Sequence, residues 1–134
     1  MKIKGKFDVG LQPLDASFAT SDGASVGRMG INKTFHGDLD ATSVGEMLSL
    51  TTATKGSAGY VAIESVTGSL LGKTGSFALQ HFGTMSASGK RLTLEVIPDS
   101  GTEALASLAG VMDIIIRDGE HYYEFDFTLE TNLQ

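Results

Sequence analysis

Three histidines, His36, His81 and His121, are the side chains whose ordinary pKa lies closest to neutrality, so acid–base chemistry at pH 7 is sought there first. His81 follows Phe77 and Leu79 at two-residue spacing, which predicts an imidazole on the apolar face of a strand. There it would be desolvated, neutral and able to orient a bound carbonyl or hydroxyl; the competing expectation is a core histidine hydrogen-bonded within the fold. Glu64 stands in phase with Tyr60, Ala62 and Val66, the most apolar company of any carboxylate in the chain. Buried alone, its pKa would rise. A raised-pKa Glu64 beside the Tyr60 hydroxyl and His81 would serve as acid or base, or would fix the orientation of a polar ligand. Gln80 would add an amide to the same site if a bulge shifted the alternation. Tyr123, in phase with Phe125 and Phe127, is a further expected ligand contact. Glu46, ahead of Met47 and Leu48, is a weaker analogue of Glu64, while His36 and His121 read as rim residues.

Other chemistries lack the residues they need. With no cysteine, disulfides, thiolate nucleophiles and sulfur-ligated zinc are excluded. No His-x-His or His-x-x-x-His spacing supports a metal site, and no cofactor motif is present. The run Gly68-Ser69-Leu70-Leu71-Gly72-Lys73-Thr74 ends like a phosphate loop but is one residue short between its glycines, and it lies between two strands rather than before a helix. Ser76, Ser100 and Thr102 lack a nucleophile elbow. A net charge of -6 argues against nucleic acid. From Glu95 onward Arg117 is the only Lys or Arg, which argues against an anionic membrane surface. The amino-terminal lysines alternate with Ile3, Phe7 and Val9, so no hydrophobic leader is read there, and cytoplasmic residence is the expectation.

The elements that must position His81 and Glu64 are strands. Seventeen glycines, two prolines and abundant Ser and Thr among 134 residues favour short strands and turns over helices. Lys2 to Leu11 alternates strictly and is expected to end at Pro13; Val26 to Phe35 alternates more weakly. A Thr/Ser-rich stretch runs to Thr54, followed by runs at Tyr60 to Thr67, Phe77 to Phe82 and Lys90 to Ile97. Ser100 to Gly110 reads as one or two helical turns, centred on residues 102–109. The final hairpin, Val111 to Arg117 and His121 to Leu129 around Asp118-Gly119-Glu120, carries the strongest local signal. Residues 1–134 are therefore expected to form one all-β domain, a small antiparallel β-barrel of about eight strands.

Closure rather than a sandwich is suggested by charge. The lysines of the first run are even-numbered, as are Glu124 and Asp126 of the last, so joining the two would place opposite charges on one outer face. Val26, Phe82, Met112, Ile114 and Ile116, apolar on faces expected to be wet, would suit a homo-oligomer, a dimer above all.

The segments Phe35-His36-Gly37, Gly72-Lys73-Thr74-Gly75-Ser76-Phe77-Ala78-Leu79-Gln80-His81 and Pro98 to Gly110, with His121-Tyr122-Tyr123-Glu124-Phe125, resemble the bacterial family called domain of unknown function 3224. The resemblance covers nearly the whole chain. It implies a small antiparallel barrel related to the allene oxide cyclase and dirigent barrels, which bind apolar, oxygenated small molecules in the barrel mouth and tend to oligomerise. No activity comes with it, and no catalytic signature of those barrels matches residue by residue. The expected function is accordingly a barrel that binds a small apolar, oxygenated ligand. The alternatives are a cyclase or isomerase using His81 and Glu64, and a homo-oligomeric interaction module.

Overall fold

The alternation of the first run continues into a strand, β1 (Lys2–Leu14), and seven more follow: β2 (Ser25–Phe35), β3 (Leu39–Thr51), β4 (Ala58–Leu70), β5 (Lys73–Ser86), β6 (Gly89–Val96), β7 (Ala109–Arg117) and β8 (Glu120–Thr128). In the computed structural model, which describes residues 1–20 and 23–130, each strand pairs antiparallel with the next, and β8 pairs with β1 to close a barrel. Cross-strand partners followed from Ile3 through Phe125, Met112, Leu94, His81, Ala62, Met47 and Met29 lead back to β1 at Pro13, not at Ile3. That stagger tilts the strands and sets the radius, and eight strands give an interior that side chains can fill or that can hold one small ligand.

The seam between β1 and β8 has the anticipated charges. Lys4 Nζ lies 3.3 Å from Glu124, Lys6 Nζ 2.9 Å from Glu120, and the terminal amine 3.8 Å from Asp126. Exposed pairs of this kind add little stability. The backbone ladder they flank is what joins the first strand to the last, while β6 and β7 are joined only through Leu94–Met112 and Glu95–Val111. Pro13 does not end β1, which pairs with β2 as far as Leu14. Pairing with β8 stops at Phe7, so beyond that point β1 has one neighbour, and a residue without an N–H is tolerated.

The two ends of the barrel differ. At the end bearing the β2–β3 and β4–β5 turns, Phe35, Leu39, Leu70, Tyr123 and Phe125 are fully enclosed. Phe77 stacks on Phe125 at 5.9 Å, and Phe35 meets Tyr123 edge-on at 5.6 Å. Residues 97–108 lie across this end: Thr102 N–H donates to Ser76 O, the Ser76 and Thr102 hydroxyls bond at 2.8 Å, and Leu105 and Leu108 are buried in the core. The expected helical segment is only a 3-10 turn, Glu103–Leu105, because its flanking backbone and side chains are bonded to β5 and a single turn does not propagate alone.

At the opposite end no such cap exists among the described residues. Met112, Ile114 and Ile116 lie on the lumen face of β7 rather than on the outer face expected of them; Met112 is buried in the core and Ile116 stands exposed at the rim. The alternation places Val111, Asp113 and Ile115 outward instead. Val26 and Phe82 remain on the outer wall.

Candidate functional site

Midway along the lumen, four neighbouring strands bring buried polar side chains together. Glu64, on β4, is completely enclosed. Its Oε1 accepts from Lys33 Nζ at 2.9 Å and from His81 Nε2 at 2.6 Å, and its Oε2 accepts from Ser43 Oγ at 2.6 Å. Lys33 comes from β2, Ser43 from β3 and His81 from β5. The Lys33 ammonium also lies over the rings of Phe7 and Phe35, at 5.0 and 5.8 Å. With Nε2 donating to Glu64, the Nδ1 of a neutral His81 is left to accept from the Tyr60 hydroxyl at 3.3 Å. Among the described residues no buried side-chain polar atom lacks a partner.

The local sequence makes room for this cluster. Gly45 faces Glu64 across the β3–β4 ladder, and a methyl group there would lie 2.8 Å from Glu64 Cβ. Gly83 faces Tyr60 across β4–β5, and a methyl there would lie 2.8 Å from Tyr60 Cδ1. Both glycines serve close approach.

Electrostatics correct the expectation of a raised-pKa glutamate. Burial does push the Glu64 carboxyl up, but the hydrogen bond from His81, the Lys33 charge and the Ser43 hydrogen bond together outweigh it and hold the group at about 2. Glu64 is an anchored anion, not a proton donor at neutral pH. Burial, and then the Glu64 charge, push the Tyr60 hydroxyl up to about 12, so it remains a neutral hydrogen-bond donor.

The expected site is thus partly assembled: Tyr60, Glu64 and His81 converge. Gln80 does not join them, because the β4–β5 register runs without a bulge through Ile63 and Gln80, leaving Gln80 on the outer wall. Tyr123 belongs to the packed end, where its hydroxyl donates to His36 O at 2.8 Å and accepts from Leu39 N–H. Glu46 is outside, paired with Arg28 at 2.7 Å, and His36 is outside beside Asp8 at 2.8 Å. His121 faces inward, half-buried against Phe7. Lys33 and Ser43 were missed. The signal for Lys33 was present, since it is the one lysine in phase with Met29, Ile31 and Phe35; Ser43 offered none.

Above the cluster the lumen opens. A cavity of about 590 Å³ is lined by Met47, Ser49, Tyr60, Met85, Leu92, Ile114 and Ile116, with Lys90 and Arg91 at its edge. Its volume lies within the range of small-molecule sites. Tyr60 is the residue shared by cavity and polar cluster. The outer wall carries a second hollow of about 590 Å³ along Leu48, Val61, Ile63 and Phe82, which the Arg28–Glu46 pair borders.

The model of a family described as "Protein of unknown function (DUF3224)" matches residues 3–127. Among solved structures, the chain is similar to a protein of unknown function from the DUF3224 family of Shewanella oneidensis MR-1, with 54% identity, 98% of each chain covered and a TM-score of 0.94. No curated protein matches.

Proposed function

We propose, for a chain that belongs to the DUF3224 family and takes no activity from that family's description, that the open half of the lumen binds one small, largely apolar molecule bearing an oxygen acceptor. The observation that carries this is the placement of Tyr60. Its neutral hydroxyl sits where an apolar cavity meets a buried cluster whose other hydrogen bonds are satisfied. Met47, Met85, Leu92 and Ile114 would take up the apolar body, and the ligand's oxygen would accept the Tyr60 proton in place of, or beside, His81 Nδ1. Glu64, Lys33 and Ser43 would hold His81 and so the floor in place. The kinship with allene oxide cyclase barrels is part of the same proposal and rests on fold analogy.

Methionine methyl NMR with 2-decanone as probe tests it, because Met47 and Met85 line the cavity while Met112 lies in the packed core. Saturable shifts at Met47 and Met85 with Met112 unmoved are expected. Tyr60→Phe should weaken binding about 2- to 10-fold, the worth of one hydrogen bond. Shifts that do not saturate, or an affinity indifferent to Tyr60→Phe, would remove the proposal.

A second reading, a proton-transfer enzyme of cyclase or isomerase type, is favoured by the orientation of His81. Glu64 fixes Nε2 as donor and turns Nδ1, the basic nitrogen, toward the Tyr60 side of the cavity. Its measurable consequence is deuterium uptake from D2O at the carbons flanking the carbonyl of bound 2-decanone, above the buffer rate and lost in His81→Gln. Exchange at the buffer rate leaves the binding role alone standing.

A further inference from the structure

The cavity mouth has a sign of charge opposite to that of the whole chain. The net charge is -6, yet the charged residues lining the opening are Lys90 and Arg91, with no carboxylate among them. The two cations are not equivalent. Lys90 faces Met85 across the β5–β6 ladder, in phase with Leu92 and Leu94, and so projects from the lumen face of β6. Arg91 is in the other phase, and its guanidinium lies 5.9 Å from the centre of the Phe82 ring on the outer wall. The tight turn between Ser86 and Gly89 holds Lys90 at the rim, with Gly89 at a φ of +126° that a side chain would strain. Among the described residues Lys90 forms no ion pair, in contrast to Lys4, Lys6 and Lys33.

From this arrangement we infer that the ligand of the lumen is an anionic amphiphile, a carboxylate whose head group sits on Lys90 and whose apolar chain runs down the cavity to the separate oxygen acceptor that Tyr60 takes. This rests on the ligand-binding role proposed above and adds its polarity and direction. The Lys90–Met85 pair stands two residues from the pair of Leu92 and Gly83, and Gly83 faces Tyr60, so about 7 Å of strand separates the rim cation from the Tyr60 level. Met85 and Leu92 line that interval, so a chain reaching from Lys90 to Tyr60 would meet carbon until the level of Tyr60 and Ser49. The head group would gain a cation without losing water, because the rim is exposed. Its benefit is correspondingly moderate and sensitive to salt.

The experiment compares decanoate with decan-1-ol, which have equal chain length and differ in charge, on the native protein, Lys90→Gln and Arg91→Gln, each at low and high salt, with 2-decanone as reference. The native protein is expected to prefer decanoate about 3- to 5-fold at low salt, with the preference shrinking as salt rises. Lys90→Gln should bring the two affinities within about twofold, and Arg91→Gln should keep the preference. Equal affinity of the native protein for acid and alcohol, or a preference that survives Lys90→Gln, overturns the inference. Binding of 2-decanone but of neither ten-carbon amphiphile overturns it as well while sparing the ligand-binding role; failure of all three probes removes both.

Discussion

The two ends of this barrel are built from the same alternating strands yet end up in opposite states. At the packed end, the inward positions carry Phe35, Phe77, Tyr123, Phe125 and Phe127, and the segment at residues 97–108 adds Leu105 and Leu108 as a lid, so the interior is full. At the open end the inward positions carry Met47, Met85, Leu92 and Ile116, of which the last three are substantially exposed, and the turns that border them place no lid across the lumen among the described residues. Lys33, Ser43, Glu64 and His81 lie between the two. The difference teaches that burial and exposure are divided along the axis: one end supplies a packed core, the other leaves apolar side chains exposed around a cavity.

That division is broken first by large truncations. Phe125→Ala, at a fully enclosed position, should destabilise the protein by about 3–5 kcal/mol, whereas Ile116→Ala, 67% exposed at the rim, should cost under about 0.5 kcal/mol. Denaturant midpoints for the two variants decide it, and similar losses would mean that the open end is not a binding surface kept at low cost.

Acid titration probes the boundary between the halves. The carboxyl of Glu64 is held at about 2 in the folded protein against 4.5 ordinarily. A group depressed on folding contributes stability that is present above its unfolded pKa and is lost as pH falls through the folded one. On the order of 3 kcal/mol should therefore disappear between roughly pH 4.5 and pH 2. Glu64→Gln should flatten that slope while destabilising the protein at neutral pH, because Lys33 would lose its buried counter-charge. An unchanged acid limb in Glu64→Gln would show that the cluster is not held together by this carboxylate.

The smallest effect sharpens the comparison most. Gly83→Ala should displace the Tyr60 ring and cost about 1–3 kcal/mol by overpacking, while weakening capture of an oxygenated ligand without touching the packed end. Met112 methyl shifts that stay at their native values while those of Met85 move would confirm the separation; coupled movement would refute it.

Much of the fold was legible in the chain. Alternation in β1 and β8 displayed which side chains share a face, and the matched parity of Lys4 and Lys6 with Glu124 pointed to the seam that closes the sheet. Asp118-Gly119 marked the last hairpin, and its register pairs Arg117 with Glu120. The site was half legible. His81 and Glu64 stood out as polar residues in apolar phase, and Lys33 carried the same signature without being picked out. Gln80 and Tyr123 were placed with them in error, the first because no bulge interrupts β5 and the second because the packed end absorbs the start of the lumen face of β8 beyond His121.

What the sequence by itself determined is the identity of each face, since a two-residue period in a strand assigns every side chain to the lumen or the outer wall. Only the tertiary structure decided which lumen-facing residues meet. The stagger that carries Ile3 round to Pro13 is a property of the closed ring, and the registers of β2 on β3 and of β3 on β4 set Lys33 and Ser43 beside Glu64 although they lie 31 and 21 residues away in the chain. It also decided the sign of the Glu64 shift, because a carboxylate's pKa follows the partners that surround it rather than the apolar residues that flank it in sequence.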